Sequence, residues 1–261
     1  MIPENFIESW RLHTQWQTLS MVEHDLVISR ALVCLYSNLK IKDSLIFRGG
    51  TALNKLFIKP AARYSEDIDF VQKRSEPIGP ILDAIRQSLQ SWLGEPRRKI
   101  TERGAKLIYQ YSAIGGVPAK LKIEINTTEH FQVLPLKLEP FIVHSEWFNG
   151  TCEILTYELA ELIATKLRAL YQRRKGRDLF DLQHVFYREL VKINQVMDIF
   201  QKYCARDGVL ISKKLFQKNM EIKKLNRDFQ IDMNALLPRE AGWNFDAAFD
   251  FVQNQVVSKI P

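Results

Sequence analysis

The chain has 261 residues, 46% of them hydrophobic, and a formal charge of +7, enough for one large domain or two modest ones with a real core. No stretch approaches the roughly 18 consecutive apolar residues of a membrane span, and the opening MIPENFIESWR lacks the apolar segment of a signal peptide, so a cytoplasmic protein without a membrane partner is expected. Cys34, Cys152 and Cys204 are odd in number, far apart and outside any Cys-x-x-Cys; they read as reduced core thiols, and the histidines do not cluster with them as a zinc site would require.

Residues 4–39 carry two helices, the second with Ser20 as its N-cap and Leu26, Val27, Arg30, Ala31, Cys34 and Leu35 on a three-to-four rhythm. SLIFRGG is a short strand ending in glycine, TALNKLF a helical turn or two, and DIDFVQ alternates as a strand does. PIGPILDAIRQSLQSWL is an amphipathic helix opened by proline. KLIYQYSAI, AKLKIEIN and LPLKLEPFIV are β-rich, with Gly115 and Gly116 turning the chain between the first two.

Beyond Gly150 the pattern becomes helical. Thr156 is the N-cap expected for a helix whose Leu159, Leu162, Ile163, Lys166, Leu167 and Leu170 share a face, and further helices are expected around 178–190, 194–204, 212–225 and 245–257. The expected organisation is an α/β half, residues 1–150, followed by a helical half, residues 151–261, with no internal repeat.

The chemistry gathers between Phe47 and Phe70, in FRGGTALNKLFIKPAARYSEDIDF. A strand period of two sends Asp67 and Asp69 to one face, their Cα atoms roughly 6–7 Å apart. Two carboxylates at that spacing repel each other; a divalent ion removes the penalty, and Mg²⁺ prefers oxygen ligands completed by substrate phosphates. Upstream, Gly49, Gly50 and Thr51 fall where a strand stops and a helix begins, a place where free amides and a hydroxyl can meet an anion. The spacing is not that of a P-loop. A phosphate cradle beside a metal-binding pair suits phosphoryl chemistry on a nucleoside triphosphate, and Glu124, polar-facing in AKLKIEIN, offers a third acid.

Gly-Gly-Thr, then RYSEDIDF, a later strand carboxylate and LIATKLRALYQRRKGRDLFDL together resemble the AbiEii/AbiGii family of nucleotidyltransferase toxins over about residues 45–185. The resemblance implies an α+β architecture, a DNA polymerase β-like nucleotidyltransferase fold with a mixed sheet and flanking helices followed by an α-helical C-terminal domain. It implies Mg²⁺ on Asp67, Asp69 and Glu124, an NTP held by Gly49, Gly50, Thr51, Ser65 and Lys166, and Lys166 with Asp178 as a later essential pair. It also implies a cognate antitoxin, a setting in abortive infection and phage defence, and nucleotide addition to RNA, above all the 3′ end of tRNA.

From the residues themselves, Lys166 lies on the apolar stripe of its helix, so its charge points inward rather than to open water, where it could offset a triphosphate. Asp178 follows RRKGR and opens a helix, where it could equally serve the helix dipole. Basic residues cluster at 97–106, 166–177 and 213–227, the last two runs with six Lys or Arg each, and phosphate contacts from such residues supply most non-specific affinity for RNA. Two other readings stay open: modification of a protein or small molecule, and a non-catalytic member that acts by binding nucleotide or antitoxin.

Overall fold

The computed structural model describes residues 2–238 and 240–261. It divides into two units, Met1–Tyr157 and Glu158–Pro261.

The first unit is built around a mixed sheet. Its strands are β1 (Leu45–Arg48), β2 (Asp67–Gln72), β3 (Arg97–Thr101), β4 (Gly104–Ser112), β5 (Pro118–Asn126), β6 (Lys137–His144) and β7 (Asn149–Thr156), in the spatial order β3-β4-β5-β2-β1-β7-β6 among the described residues. The neighbours β2 and β5, and likewise β1 and β7, run parallel; the other pairs are antiparallel. Alternation sorts the faces. On β4 and β5, Ala105, Leu107, Tyr109, Leu121, Ile123 and Ile125 are buried, while Lys106, Lys122 and Glu124 point the other way and stay partly open.

The helices are α1 (Glu4–Arg11), α2 (Leu19–Tyr36), α3 (Leu39–Ser44), α4 (Gly49–Ala52, continued by a π-helical turn over Leu53–Phe57) and α5 (Ile78–Leu93). α2 is buried on most of its circumference, with Val22, Leu26, Ile28, Leu32 and Leu35 in the core. The Tyr36 hydroxyl lies 3.1 Å from both the Leu45 and the Leu155 carbonyls and so ties α2 to β1 and β7.

Three sequence expectations need correction. The N-cap of α2 is Thr18, whose hydroxyl accepts from Met21 N at 3.2 Å; Ser20 already lies inside the first turn. Residues 149–156 form β7 rather than the approach to a helix, because they pair with β6 across a short antiparallel connection and with β1, which is remote in sequence. Thr156 is therefore no helix cap: it ends β7 opposite Phe47 and donates its hydroxyl to the Phe47 carbonyl at 2.7 Å. The following helix starts after Glu158, with no side-chain cap. Of the three free thiols, Cys204 alone is buried; Cys34 and Cys152 are partly exposed.

The second unit is helical: α6 (Leu159–Gln172), α7 (Gly176–Tyr187), α8 (Ile193–Arg206), α9 (Lys213–Lys224), α10 (Arg227–Ile231) and α11 (Phe245–Phe251, continued by a π-helical turn over Val252–Val256). Leu162, Leu167, Leu170, Leu179, Leu182, Phe200 and Phe216 form its core. Lys223 is buried on α9 and caps the C-terminal end of α6, donating to the Leu170 and Tyr171 carbonyls, the latter at 2.9 Å. Burial pulls its ammonium down to about 8. Among the described residues no helix is long and apolar enough to cross a membrane.

Candidate active site

The site of the first unit starts where β1 gives way to α4. Gly49 has φ +82°, a backbone state that side chains disfavour, and a Cβ there would overlap Asp69 Oδ2. At Gly50 a Cβ would overlap the guanidinium of buried Arg63. Both glycines let the turn close down on the residues that follow it in space. Asn54 locks this arrangement: its Nδ2 donates to the Gly50 carbonyl at 3.0 Å while its Oδ1 accepts from Ala62 N at 3.0 Å and Arg63 N at 3.3 Å.

Thr51 is 1% exposed. Its hydroxyl donates to the Asp67 carbonyl at 2.5 Å and meets Ser65 Oγ at 2.8 Å. Thr51 and Ser65 thus link α4 to the start of β2, and the Thr51 hydroxyl acts on the backbone that carries Asp67.

Asp67 and Asp69 share the open face of β2, both partly exposed, with Ile68 and Phe70 buried behind them. In the parallel register of β2 and β5, Asp67 faces Lys122 and Asp69 faces Glu124. On the other side Asp69 faces Arg48, whose guanidinium bonds Glu129 at 2.5 Å. The acids are charge-balanced by lysines of the same face: Lys122 Nζ is 3.3 Å from Asp67 and Lys106 Nζ is 2.6 Å from Glu124. The bond to Glu124 holds the Lys106 ammonium above its usual value despite its partial burial. A cleft of about 370 Å³ opens beside Asp67, with His24, Tyr64, Tyr111 and Lys122 in its wall. His24 spans it from below, one ring nitrogen 2.7 Å from the Tyr111 hydroxyl and the other 2.9 Å from the Glu66 carbonyl; burial lowers its basicity.

Lys166 and Asp178 meet in the second unit. Lys166, 6% exposed, has its ammonium 3.2 Å from Asp178 Oδ1 and 2.9 Å from Asp181 Oδ2. Arg173 adds a two-pronged contact to Asp178, at 2.7 and 2.9 Å. Burial pushes the Asp178 carboxyl up, yet Lys166 and Arg173 outweigh it and hold the group below the ordinary carboxylate range.

Several roles went unread in the sequence, although Lys106 and Arg173 lie in the basic runs it singles out. Lys106, Lys122 and Arg48 flank the acids through strand register, Asn54 and Arg63 brace the glycine turn, and Asp181 and Arg173 complete the buried cluster. Lys122 had a signal, since it shares a strand face with Glu124; Asp181 had one too, lying one helical turn from Asp178.

Among the described residues no three His, Cys, Asp or Glu side chains are gathered as a metal cage. Asp67 and Asp69 nevertheless suit Mg²⁺, which binds through one or two carboxylates and completes its shell with water and substrate phosphates.

A family model described as nucleotidyl transferase AbiEii toxin, type IV TA (toxin–antitoxin) system, matches residues 30–251. Among solved structures the chain is similar to MenT4, a nucleotidyltransferase toxin from Mycobacterium tuberculosis H37Rv, with 16% identity and a TM-score of 0.65 over 100% of this chain and 91% of that one. It is also similar to JHP933 from Helicobacter pylori, with 19% identity and a TM-score of 0.58 over 89% and 88% of the two chains. At these identities the likeness is one of fold. No curated protein sequence matches the chain.

Proposed function

The chain belongs to the AbiEii family of nucleotidyltransferase toxins of type IV toxin–antitoxin systems, and from that premise we propose that it transfers a nucleoside monophosphate from an NTP to the 3′ end of an RNA, with tRNA as acceptor and a block of translation as the result. The family itself implies a nucleotide substrate and an antitoxin; the acceptor, the metal and a role in phage defence are part of our reading. The observation that carries it is the seating of the Gly49 turn against Asp69, with Asp67 on the same face of β2.

In this reading Asp67 and Asp69 hold Mg²⁺, with Glu124 beside them on β5. The ion, when bound, stabilises charge on the triphosphate as a Lewis acid. The amides of Gly50 and Thr51, at the start of a helical segment that runs on to Phe57, receive phosphate oxygens. The acceptor's 3′ oxygen forms its new bond to the α-phosphorus as the bond to the bridging oxygen of pyrophosphate breaks, and Glu124 Oε takes the hydroxyl proton. Lys106 and Lys122 are freed from their carboxylates when the acids take up the ion and the proton. Lys166 and Asp178 contribute as a preorganised pair within the helical unit.

Incubation with total tRNA and each labelled NTP in turn, with and without Mg²⁺, tests the proposal. Label is expected on tRNA, from a preferred NTP and only with the metal. Label on protein or small molecules with unlabelled RNA would overturn the acceptor assignment.

A further inference from the structure

We propose that the acceptor RNA reaches the carboxylates across the open face of β5, β4 and β3, its phosphates held by Lys120, Lys122, Lys106, Lys99 and Arg97. The inference rests on the RNA-acceptor reading above.

Strand register carries it. One row crosses the sheet from Asp69 through Glu124 on β5 and Lys106 on β4 to Lys99 on β3. The next row runs from Asp67 through Lys122 and Ile108 to Arg97. Residues paired in register project from the same side of a sheet, so these cations share the face of the acids, and Lys120, two residues before Lys122, joins them. The strip spans three strand spacings, roughly 14 Å. Glu124 is the one acid on that face of β3, β4 and β5 among the described residues. The same alternation sends Arg98 to the other face, where it pairs with Asp83 of α5 at 3.3 Å. Arg97 and Lys99 are exposed and enter no ion pair among the described residues.

The helical basic runs are in part spent on the protein itself. In the 166–177 run, Lys166 is held by Asp178 and Asp181, Arg168 by Asp207 at 2.7 Å, Arg173 by Asp178 and Arg177 by Asp232 at 3.1 Å. In the 213–227 run Lys223 is buried as a helix cap. Arg174, Lys175 and Arg227 stay exposed on these runs, and Lys213, Lys214 and Lys218 form the larger rival cluster.

The lysines nearest the acids suit an exchange. Lys122 and Lys106 pair with Asp67 and Glu124 in half-exposed contacts, which contribute little and break at little cost. They can turn to phosphate once the acids take another partner. Farther out, Arg97 and Lys99 would hold the strand electrostatically without reading its bases.

The test measures binding of dye-labelled total tRNA by anisotropy at several salt concentrations, without divalent metal, alongside NTP affinity and melting temperature. Arg97→Gln with Lys99→Gln should weaken tRNA binding and reduce the slope of log affinity against log salt by about 1.4, the loss of two single-strand phosphate contacts. NTP affinity and melting should be unchanged, and the charge-keeping pair Arg97→Lys with Lys99→Arg should restore binding. Lys213→Gln, Lys214→Gln and Lys218→Gln together should leave the slope alone. If wild type binds tRNA and the β3 variant keeps its slope, the surface assignment is overturned while the RNA reading stands. A β3 variant that loses NTP affinity but keeps tRNA affinity also overturns it. Failure of the wild type to bind tRNA overturns both.

Discussion

The open sheet face and the α6–α7 contact use the same chemistry, lysine against carboxylate, under opposite burial. On the sheet, Lys122 and Asp67 are each 30% exposed in their side chains, and Lys106 and Glu124 are about as open. Between the helices, Lys166, Asp178 and Asp181 are almost completely enclosed. Half-exposed pairs gain little from each other and exchange partners readily. Buried pairs have already lost their water and depend on one another. The sheet acids are therefore available to a ligand, whereas the helical cluster fixes how α6 and α7 meet. Any contribution of Lys166 to turnover is made from that locked position.

The comparison breaks most visibly at Lys166. Lys166→Met removes the cation shared by buried Asp178 and Asp181 and should cost about 3–5 kcal/mol in urea unfolding, the usual penalty for removing one partner of a buried pair. A loss of less than about 1 kcal/mol, the range of surface pairs, would put the cluster in the same class as the sheet face. Thr51→Val should cost less, about 1–3 kcal/mol, by leaving the Asp67 carbonyl without its donor. The matched readout is turnover, which should fall beyond what the lost stability explains, because that bond fixes the start of β2.

Acid sharpens the contrast. Asp178 is held below its ordinary value of 3.8 in the fold. A depressed carboxylate adds stability that is present above the unfolded value and is lost as pH falls through the folded one. Its contribution should thus be complete at pH 5 to 7, begin to fall below about pH 4 and be lost only as pH passes through the lower folded value. Arg173→Ala removes one of the groups that depress it and should move acid unfolding to higher pH in a circular-dichroism titration. The smallest effect belongs to Lys106→Ala, which should shift stability by less than about 1 kcal/mol; a larger loss would mean that the sheet pairs are structural after all.

The sequence made the sheet acids legible because each signal there is local. DIDF alternates, Gly49 and Gly50 sit at the end of an apolar run, and AKLKIEIN shows which way Glu124 points. What it hid depends on pairing across long separations. β7 was missed because NGTCEILT gains strand character from its parallel pairing with distant β1 and from its hairpin with β6, not from its own alternation. The Lys166–Arg177 run looks like a cationic surface in one dimension, yet its partners Asp178, Asp181, Asp207 and Asp232 arrive from α7 and from segments farther along the chain. Similarly, nothing local to KLIYQY or RRKIT says that Lys106 and Lys99 lie in register with Asp69. The fold and the location of the acid pair were legible; the register that sets the cations of 97–106 on the same sheet face was not.

The central claim is that Asp67 and Asp69 form the reactive pair, and it is tested most directly by Asp69→Asn. NMP transfer to tRNA with Mg²⁺ and thermal unfolding are measured on the same preparation. Asn keeps the shape beside Gly49 but removes one of two neighbouring negative charges, so repulsion within the pair is relieved. The expected result is loss of Mg²⁺-dependent transfer by a protein that unfolds at a temperature close to that of the wild type. Undiminished transfer by the folded variant would contradict the account.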